Sequence, residues 1–362
     1  MTTAWPGRTP SRRSVLAAPD TFKGTCSSVD VAAAIERGAR EAGWDCDNCA
    51  LSDGGDGFSG VIAASSRAAA GGWRTAKVTG PLGEEVAARW WWAPPEAFVE
   101  SAAASGLVLA GGSRGNDPLG ATSRGTGELI AAAIRAGAAR VVVGVGGSAS
   151  TDGGLGAIEA VESAGLLDSG ALEVAEVIVA CDVEVRFVEA AERFGPQKGA
   201  SAAQVSELRD RLVELAERYR WRFGVDVTSM PRSGAAGGLA GGLAALGARL
   251  VRGFDLVAEL VGLERRIAEA GLVVTGEGRL DSTTWTGKVV SGVFSRQRVS
   301  PATVPVLVVA GSLGPGGWPP PPPHERAEAQ LVSIEERFGT DRARKHPAEC
   351  IEQVVRELLQ SY

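Results

Sequence analysis

The chain has 362 residues, enough for two domains, and its net charge of −6 argues against a general nucleic-acid-binding surface. Only two residues are histidines, His324 and His346, which excludes Ser-His-Asp and Cys-His nucleophile systems and zinc sites of H-E-x-x-H spacing. Acid–base chemistry therefore falls to carboxylates, lysines or a bound ligand, while the 49 glycines point to tight turns and to loops that wrap an anion.

In chain order, the segment up to Arg13, with Arg8 and Arg12, reads as a disordered lead rather than a signal peptide. Residues 14–18 form a short buried strand that stops at Pro19-Asp20. A helix capped by Ser27 or Ser28 follows, with Val31, Ile35 and Ala39 on one face and Gly43 at its end. A second strand is expected over 47–51 and a helix over 58–67. Residues 72–95, with Trp90-Trp91-Trp92, resemble hairpin elements more than βαβ units. A helix opens at Gly125, the strand 141–145 runs into Gly146-Gly147-Ser148, and another helix begins after Asp152-Gly153-Gly154. Residues 201–222 are an amphipathic helix. The glycine-rich run 234–248 suits a closely packed buried helix. Strands over 272–275, 306–310 and 331–334, a helix from about Gly287, an extended polyproline stretch at Pro319–Pro323 and a helix over 347–360 complete the chain. No run of 18 apolar residues predicts a membrane span. The first and last segments share a βα grammar that the middle lacks. This predicts an α/β protein of two domains: residues 1–72 and 254–362 form a discontinuous parallel-sheet domain, with 73–253 inserted as a second mixed α/β domain. The five cysteines read as free thiols, since Cys46-Asp47-Asn48-Cys49 has no second pair to complete a metal site.

Open parallel sheets bind ligands at strand C-termini, which places Asp20, Asp53, Glu277 and Ser312 near one crevice. Five polar segments carry the chemistry. Asp20 to Thr25 offers Lys23 beside a helix start, an anion site or a plain turn. Ser52 to Gly57 places Asp53 and Asp56 around glycines, suited to a metal or to hydroxyls. Gly144 to Gly156 concentrates amides and hydroxyls around Ser148 and Asp152, as a phosphate cradle would. Phe194 to Ala200 carries Lys198. Gly276 to Lys288 holds Glu277, Arg279, Asp281 and Lys288. Lysines and glycine amides neutralise phosphate charge, and carboxylates hold Mg²⁺ or take a hydroxyl proton. The set therefore suits phosphoryl transfer, which needs no histidine.

These segments, in this order, closely resemble the type-1 glycerate kinases of bacteria, a family unrelated to P-loop kinases. Ala18 to Gly24 matches A-P-D-S-F-K-G, Ser52 to Gly57 matches A-D-G-G-E-G, and Gly146 to Gly154 matches G-G-S-A-T-N-D-G-G. Phe194 to Gly199 is F-G-P-Q-K-G, Gly234 to Gly242 matches G-A-A-G-G-L-G-A-G, and Gly276 to Asp281 is G-E-G-R-L-D. The resemblance implies a discontinuous flavodoxin-like domain, ATP and Mg²⁺, D-glycerate as a small-molecule substrate and a cytoplasmic location; a monomer or homodimer is expected, and charge and apolar run length predict no nucleic-acid or membrane partner. On that reading Lys23, Asp53, Asp152 and Asp281 are the candidate catalytic residues, the three carboxylates standing as alternatives for the base. Asp20, Asp56, Asp182, Lys198 and Arg279 would contact substrate. Gly146, Gly147, Ser148, Glu277 and Lys288 would hold nucleotide, and Asp53 and Asp56 the metal. The chain departs from the family pattern after Asp182, where Asn-Pro-Leu is missing and the loop is shorter. It departs again at Ser282-Thr283-Thr284 and at Val290. A catalytically weakened sensor of the same fold is the competing reading. A dinucleotide-dependent oxidoreductase is disfavoured by the incomplete glycine fingerprint.

Overall fold

A computed structural model describes residues 13–65, 71–285, 288–299, 304–317 and 329–362. The lead before Arg13, the end of the helix expected to reach Arg67, Gly287 and the polyproline stretch Pro319–Pro323 lie outside the described residues. The chain divides into two compact units, one of Met1–Asp53, Ala64–Arg67 and Phe254–Tyr362, the other of Gly54–Ala63 and Ala68–Gly253. Among the described residues no helix is long and apolar enough to cross a membrane.

The discontinuous unit is built on five parallel strands: β1 (Ser14–Ala17), β2 (Asp45–Asn48), β9 (Leu272–Leu280), β10 (Val306–Leu313) and β11 (Ala329–Ser333). They lie in the order β2-β1-β9-β10-β11. Counted within this unit, the order is 2-1-3-4-5, the flavodoxin-like arrangement, whose direction of winding reverses between β1 and β9. The unbroken apolar runs explain the parallel sheet. Val15 to Ala17, Leu272 to Val274 and Val306 to Ala310 are all buried, as strands covered on both faces must be. Ser27 caps the helix Ser28–Glu41, its Oγ accepting the Asp30 amide at 3.1 Å. That helix packs against the final helix Pro347–Gln360 at Gly38, where a Cβ would come 2.5 Å from the Glu352 carbonyl. Arg37–Glu352 and Arg356–Glu41 ion pairs flank the contact at 2.6 and 2.7 Å.

The second unit has six strands in sequential order: β3 (Gly72–Thr79), β4 (Glu85–Ala93), β5 (Glu96–Glu100), β6 (Arg140–Gly144), β7 (Glu176–Ala180) and β8 (Arg249–Val251). β3, β4 and β5 pair antiparallel, and β5 to β8 pair parallel. The hairpin expected around the tryptophans is therefore the antiparallel edge of a mixed sheet, with the Arg89 guanidinium stacked 4.3 Å over the Trp73 ring. The amphipathic helix runs Ala202–Phe223 and starts with a Ser201/Gln204 capping box.

One expectation is corrected. The glycine-rich run 234–248 is not one helix. Only Leu239–Ala245 is helical, and it is preceded by a turn in which Ala236, Gly237 and Gly238 all have positive φ, at 53°, 70° and 88°. A Cβ at Gly237 would lie 2.7 Å from the Thr151 Cα and 2.9 Å from the Lys198 Nζ. The glycines thus serve close backbone approach to another loop before they serve helix packing.

Overall, the chain is α/β, a discontinuous flavodoxin-like parallel-sheet domain with a mixed α/β domain inserted in its sequence.

Candidate functional site

In the discontinuous unit the candidate residues gather at the C-terminal ends of β1 and β9, where the winding of the sheet reverses. The Ala18 and Asp20 amides donate to the Val274 and Gly276 carbonyls at 2.8 Å, so Asp20 sits directly against the strand that carries Glu277. Asp20 is 8% exposed and its Oδ1 accepts the Thr21 amide at 2.7 Å. Burial, with the Asp53 and Glu277 charges added, pushes its carboxyl well above the ordinary carboxylate range. Burial also raises Glu277, against a hydrogen bond from Thr284 Oγ1 at 2.8 Å and the charge of Lys288. Asp281 behaves oppositely. It accepts the Thr283 amide and hydroxyl at 2.8 and 2.7 Å, which holds its carboxyl below the usual range. Arg279 is 4.0 Å from Asp281.

Residues 21–26 close into a tight turn, with Phe22 and Cys26 exchanging backbone hydrogen bonds and Gly24 at φ 78°. Phe22 is buried and Lys23 is exposed. The turn rests on the Gly278 backbone, where a Cβ would lie 3.0 Å from the Lys23 nitrogen. Asp20, Asp53, Glu277, Asp281, Arg279 and Lys288 are thus one electrostatically linked group, with Lys23 on the neighbouring turn. Ser312, paired in register with Arg279, borders it on β10.

In the inserted unit the loops again follow strand C-termini. After β6, Gly146 has room for no side chain, because a Cβ would meet the Gly55 Cα at 2.6 Å. Gly147, at φ 63°, faces Asp56, and a Cβ there would lie 2.6 Å from Asp56 Oδ1. Ser148 Oγ lies 3.3 Å from Ser150 Oγ. The loop is braced by Leu107, whose amide donates to the Gly147 carbonyl at 2.8 Å, and by Ala149, whose amide donates to the Ser105 carbonyl at 2.9 Å. Asp56, Gly146, Gly147 and Ser148 therefore come together. Asp182 stands at the end of β7, and Gly54 packs on the Ala180 carbonyl just before it.

Asp152 has both carboxylate oxygens engaged. Oδ2 accepts the Ser123 amide and hydroxyl at 2.8 Å each and the Gly156 amide at 3.2 Å, while Oδ1 accepts the Gly154 amide at 3.1 Å. These contacts fix the loop to the helix Leu155–Ser163. Lys198 is 4% exposed and its Nζ donates to the Ser150 carbonyl at 2.5 Å. Burial pulls its ammonium down to about 7, although the Asp152 charge opposes the shift. Asn116 Nδ2 bridges the Lys198 and Ala149 carbonyls at 2.9 and 3.2 Å.

Sequence reasoning missed Glu100, Asn116, Ser123 and Thr284. Glu100 ends a strand, β5, whose brevity and acidic ends hide it. Thr284 follows Asp281 by three residues, a spacing that suits a local hydroxyl contact. Asn116 and Ser123 act across long sequence separations that leave no local signal. The Cys46–Cys49 pair is kept as thiols, each pushed up to about 12 by burial.

Among the described residues no three His, Cys, Asp or Glu side chains converge closely enough to hold a metal by themselves. Mg²⁺ uses one or two carboxylates and completes its shell with water and phosphate. The hard oxygens of Asp53 and Glu277 fit that demand: burial, with the Asp281 and Asp53 charges added, raises the Glu277 carboxyl, and a cation would relieve it.

The sequence pattern of the glycerate kinase family matches residues 15–174 and 167–362. The chain is 40% identical over 331 residues to the glycerate 2-kinase of Escherichia coli (strain K12), covering 83% of this chain and 85% of that one. It is 38% identical to a glycerate kinase of Bacillus subtilis (strain 168), over 83% and 85% of the two chains. A crystal structure from Salmonella typhimurium LT2 assigned as a glycerate kinase 2 superposes with a TM-score of 0.75 at 32% identity, over 96% of this chain and 97% of that one.

Proposed function

The chain belongs to the glycerate kinase family and is a kinase acting on a small molecule, and from that premise we propose that it phosphorylates D-glycerate with ATP to give 2-phosphoglycerate. The observation that carries this reading is a family match that spans both units. The E. coli relative named glycerate 2-kinase supports the 2-hydroxyl as acceptor. The setting we infer is organic-acid metabolism in the cytoplasm.

In the reaction the acceptor hydroxyl oxygen forms a bond to the γ-phosphorus, the bond from that phosphorus to the bridging oxygen breaks, and ADP leaves. The hydroxyl proton passes to a carboxylate. Asp20 suits that role, since burial and the Asp53 charge raise its proton affinity. Asp53 and Asp281 remain alternatives. Lys23, Lys288 and Arg279 supply positive charge for phosphate or for the glycerate carboxylate. In the inserted unit, amides around Gly146, Gly147 and Ser148 cradle phosphate oxygens, Asp56 and Asp182 accept from ligand hydroxyls, and Lys198 meets an anion. Asp152, with both oxygens engaged by its own loop, orders the cradle. Asp53 and Glu277 would hold Mg²⁺, which when bound would neutralise phosphate charge.

The test is identification by NMR of the product formed from ATP and D-glycerate. Appearance of 2-phosphoglycerate with stoichiometric ADP is expected. A product phosphorylated on O3 would overturn the positional assignment. A ligand-induced melting shift with no ADP release would favour a sensor.

A further inference from the structure

We propose that Glu100 is a positioning residue for the kinase reaction, holding the Asp56-bearing loop in register with the glycine-rich loop after β6. The proposal rests on the functional reading above and concerns a residue outside the motifs that suggested it.

Glu100 is the last residue of β5, paired with Gly144, the last residue of β6. Its carboxylate accepts three hydrogen bonds from a segment 41 to 43 residues away. The Ser59 amide donates to Oε1 at 2.7 Å, the Ser59 hydroxyl to the same oxygen at 2.5 Å, and the Gly57 amide to Oε2 at 3.2 Å. These are charge-assisted contacts to donors at the start of the helix Phe58–Ala64, which has no helical acceptors for its first amides. The neighbouring Ser101 ties down the other loop. Its amide donates to the Gly144 carbonyl at 2.9 Å and its hydroxyl to the Gly146 carbonyl at 3.2 Å.

The dipeptide Glu100-Ser101 therefore clamps two loops that already touch, the Gly55 and Asp56 backbone against Gly146 and the Asp56 carboxylate against Gly147. Asp56 is adjacent to Gly57, so release of the Gly57 amide frees the residue next to it. Misplacing a reacting or charge-bearing group by about 1 Å costs on the order of a hundredfold in rate. The clamp therefore acts on turnover more than on ligand affinity.

The test compares Glu100→Ala and Glu100→Gln with a matched control, Glu128→Gln. Glu128 makes the same kind of double contact elsewhere in the unit, its two oxygens accepting the Thr79 amide and hydroxyl at 2.6 and 3.0 Å. Steady-state kinetics with ATP and D-glycerate, thermal melts and amide hydrogen exchange at Gly57 and Ser59 are measured on the full chain. Glu100→Ala should lower kcat by about tenfold to a hundredfold with KM changed less than about threefold. Amide exchange at Gly57 and Ser59 should quicken. Glu100→Gln keeps one acceptor oxygen and should fall between Glu100→Ala and the parent. Glu128→Gln should lose stability without losing kcat. A kcat for Glu100→Ala within about twofold of the parent overturns the proposal, as does an equal loss in Glu128→Gln. If Glu100→Ala does not fold, Glu100→Gln decides by the same criteria. A parent chain that makes no phosphoglycerate would instead overturn the kinase reading, and the exchange rates would still report whether Glu100 holds the loop.

Discussion

Lys198 Nζ donates to the backbone carbonyl of Ser150 across 2.5 Å, a buried amine spent on fixing a loop. A charged group so enclosed is costly unless an anion joins it, and burial accordingly brings the amine down to about 7. The folded-state value lies below the ordinary value of 10.5. Its stability contribution is therefore complete above about 10.5 and is lost as pH falls through about 7. The melting temperature of the parent should rise relative to that of Lys198→Met between those limits. Anion affinity should move the other way, weakening above about pH 7 by up to about tenfold per unit as the charged amine is depleted. Calorimetric titration of the anionic ligand at several pH values checks this. Proton uptake on binding is expected in the parent and absent in Lys198→Met.

Asp152 is surrounded by its own loop, with four donors on its two oxygens. Asp152→Asn puts an amide donor where at least one N–H already points. We expect a loss of about 1–3 kcal/mol in stability, read in denaturant melts, accompanied by a fall in kcat. If the residue orders the loop rather than taking the proton, the pH profile of kcat keeps its shape in the variant and only its height drops.

The loops were legible because each apolar run, such as 272–275 or 306–310, ends in glycine and charge, and parallel strands place their ligands at that end. The split of the chain could be read from the return of the same grammar near residue 270. Three things were hidden. β5 and β7 are short strands whose acidic first residues blur the apolar signal. At 236–238 composition favours close packing in a helix or a turn alike, and what distinguishes the turn is the approach of Gly237 to the Ser150–Thr151 backbone, far away in sequence. The clamp at Glu100 spans more than forty residues, a separation at which no local pattern can register.

Gly147 tests the cradle. At φ 63° it occupies the left-handed region, and a Cβ would fall 2.6 Å from Asp56 Oδ1. Gly147→Ala should cost about 1–2 kcal/mol for the backbone alone. The larger effect should appear in kinetics, because Asp56 must move. A drop in kcat/KM well beyond the loss of folded protein, measured below the melting transition, is expected. Unchanged kinetics would remove Asp56 from the ligand-binding set.

Asp20 sets function against stability. Its carboxyl is raised by burial first and then by the Asp53 and Glu277 charges. A carboxyl raised on folding favours the folded state fully only below its unfolded value of 3.8, and that contribution is lost as pH rises through the folded value. Once pH has risen through the folded value the unliganded parent therefore carries a buried, repelled carboxylate. Asp20→Asn removes that charge, keeps the shape and retains an oxygen to accept the Thr21 amide. In the absence of ligand the melting temperature of the variant should climb relative to that of the parent as pH rises through the folded value. The two should converge as the solution is acidified toward the unfolded Asp value. Turnover should fall by about a hundredfold or more, because the neutral amide does not accept the hydroxyl proton. Thermal melts across pH, set beside steady-state rates, provide the check. Full turnover in Asp20→Asn would pass the proton-accepting role to Asp53 or Asp281.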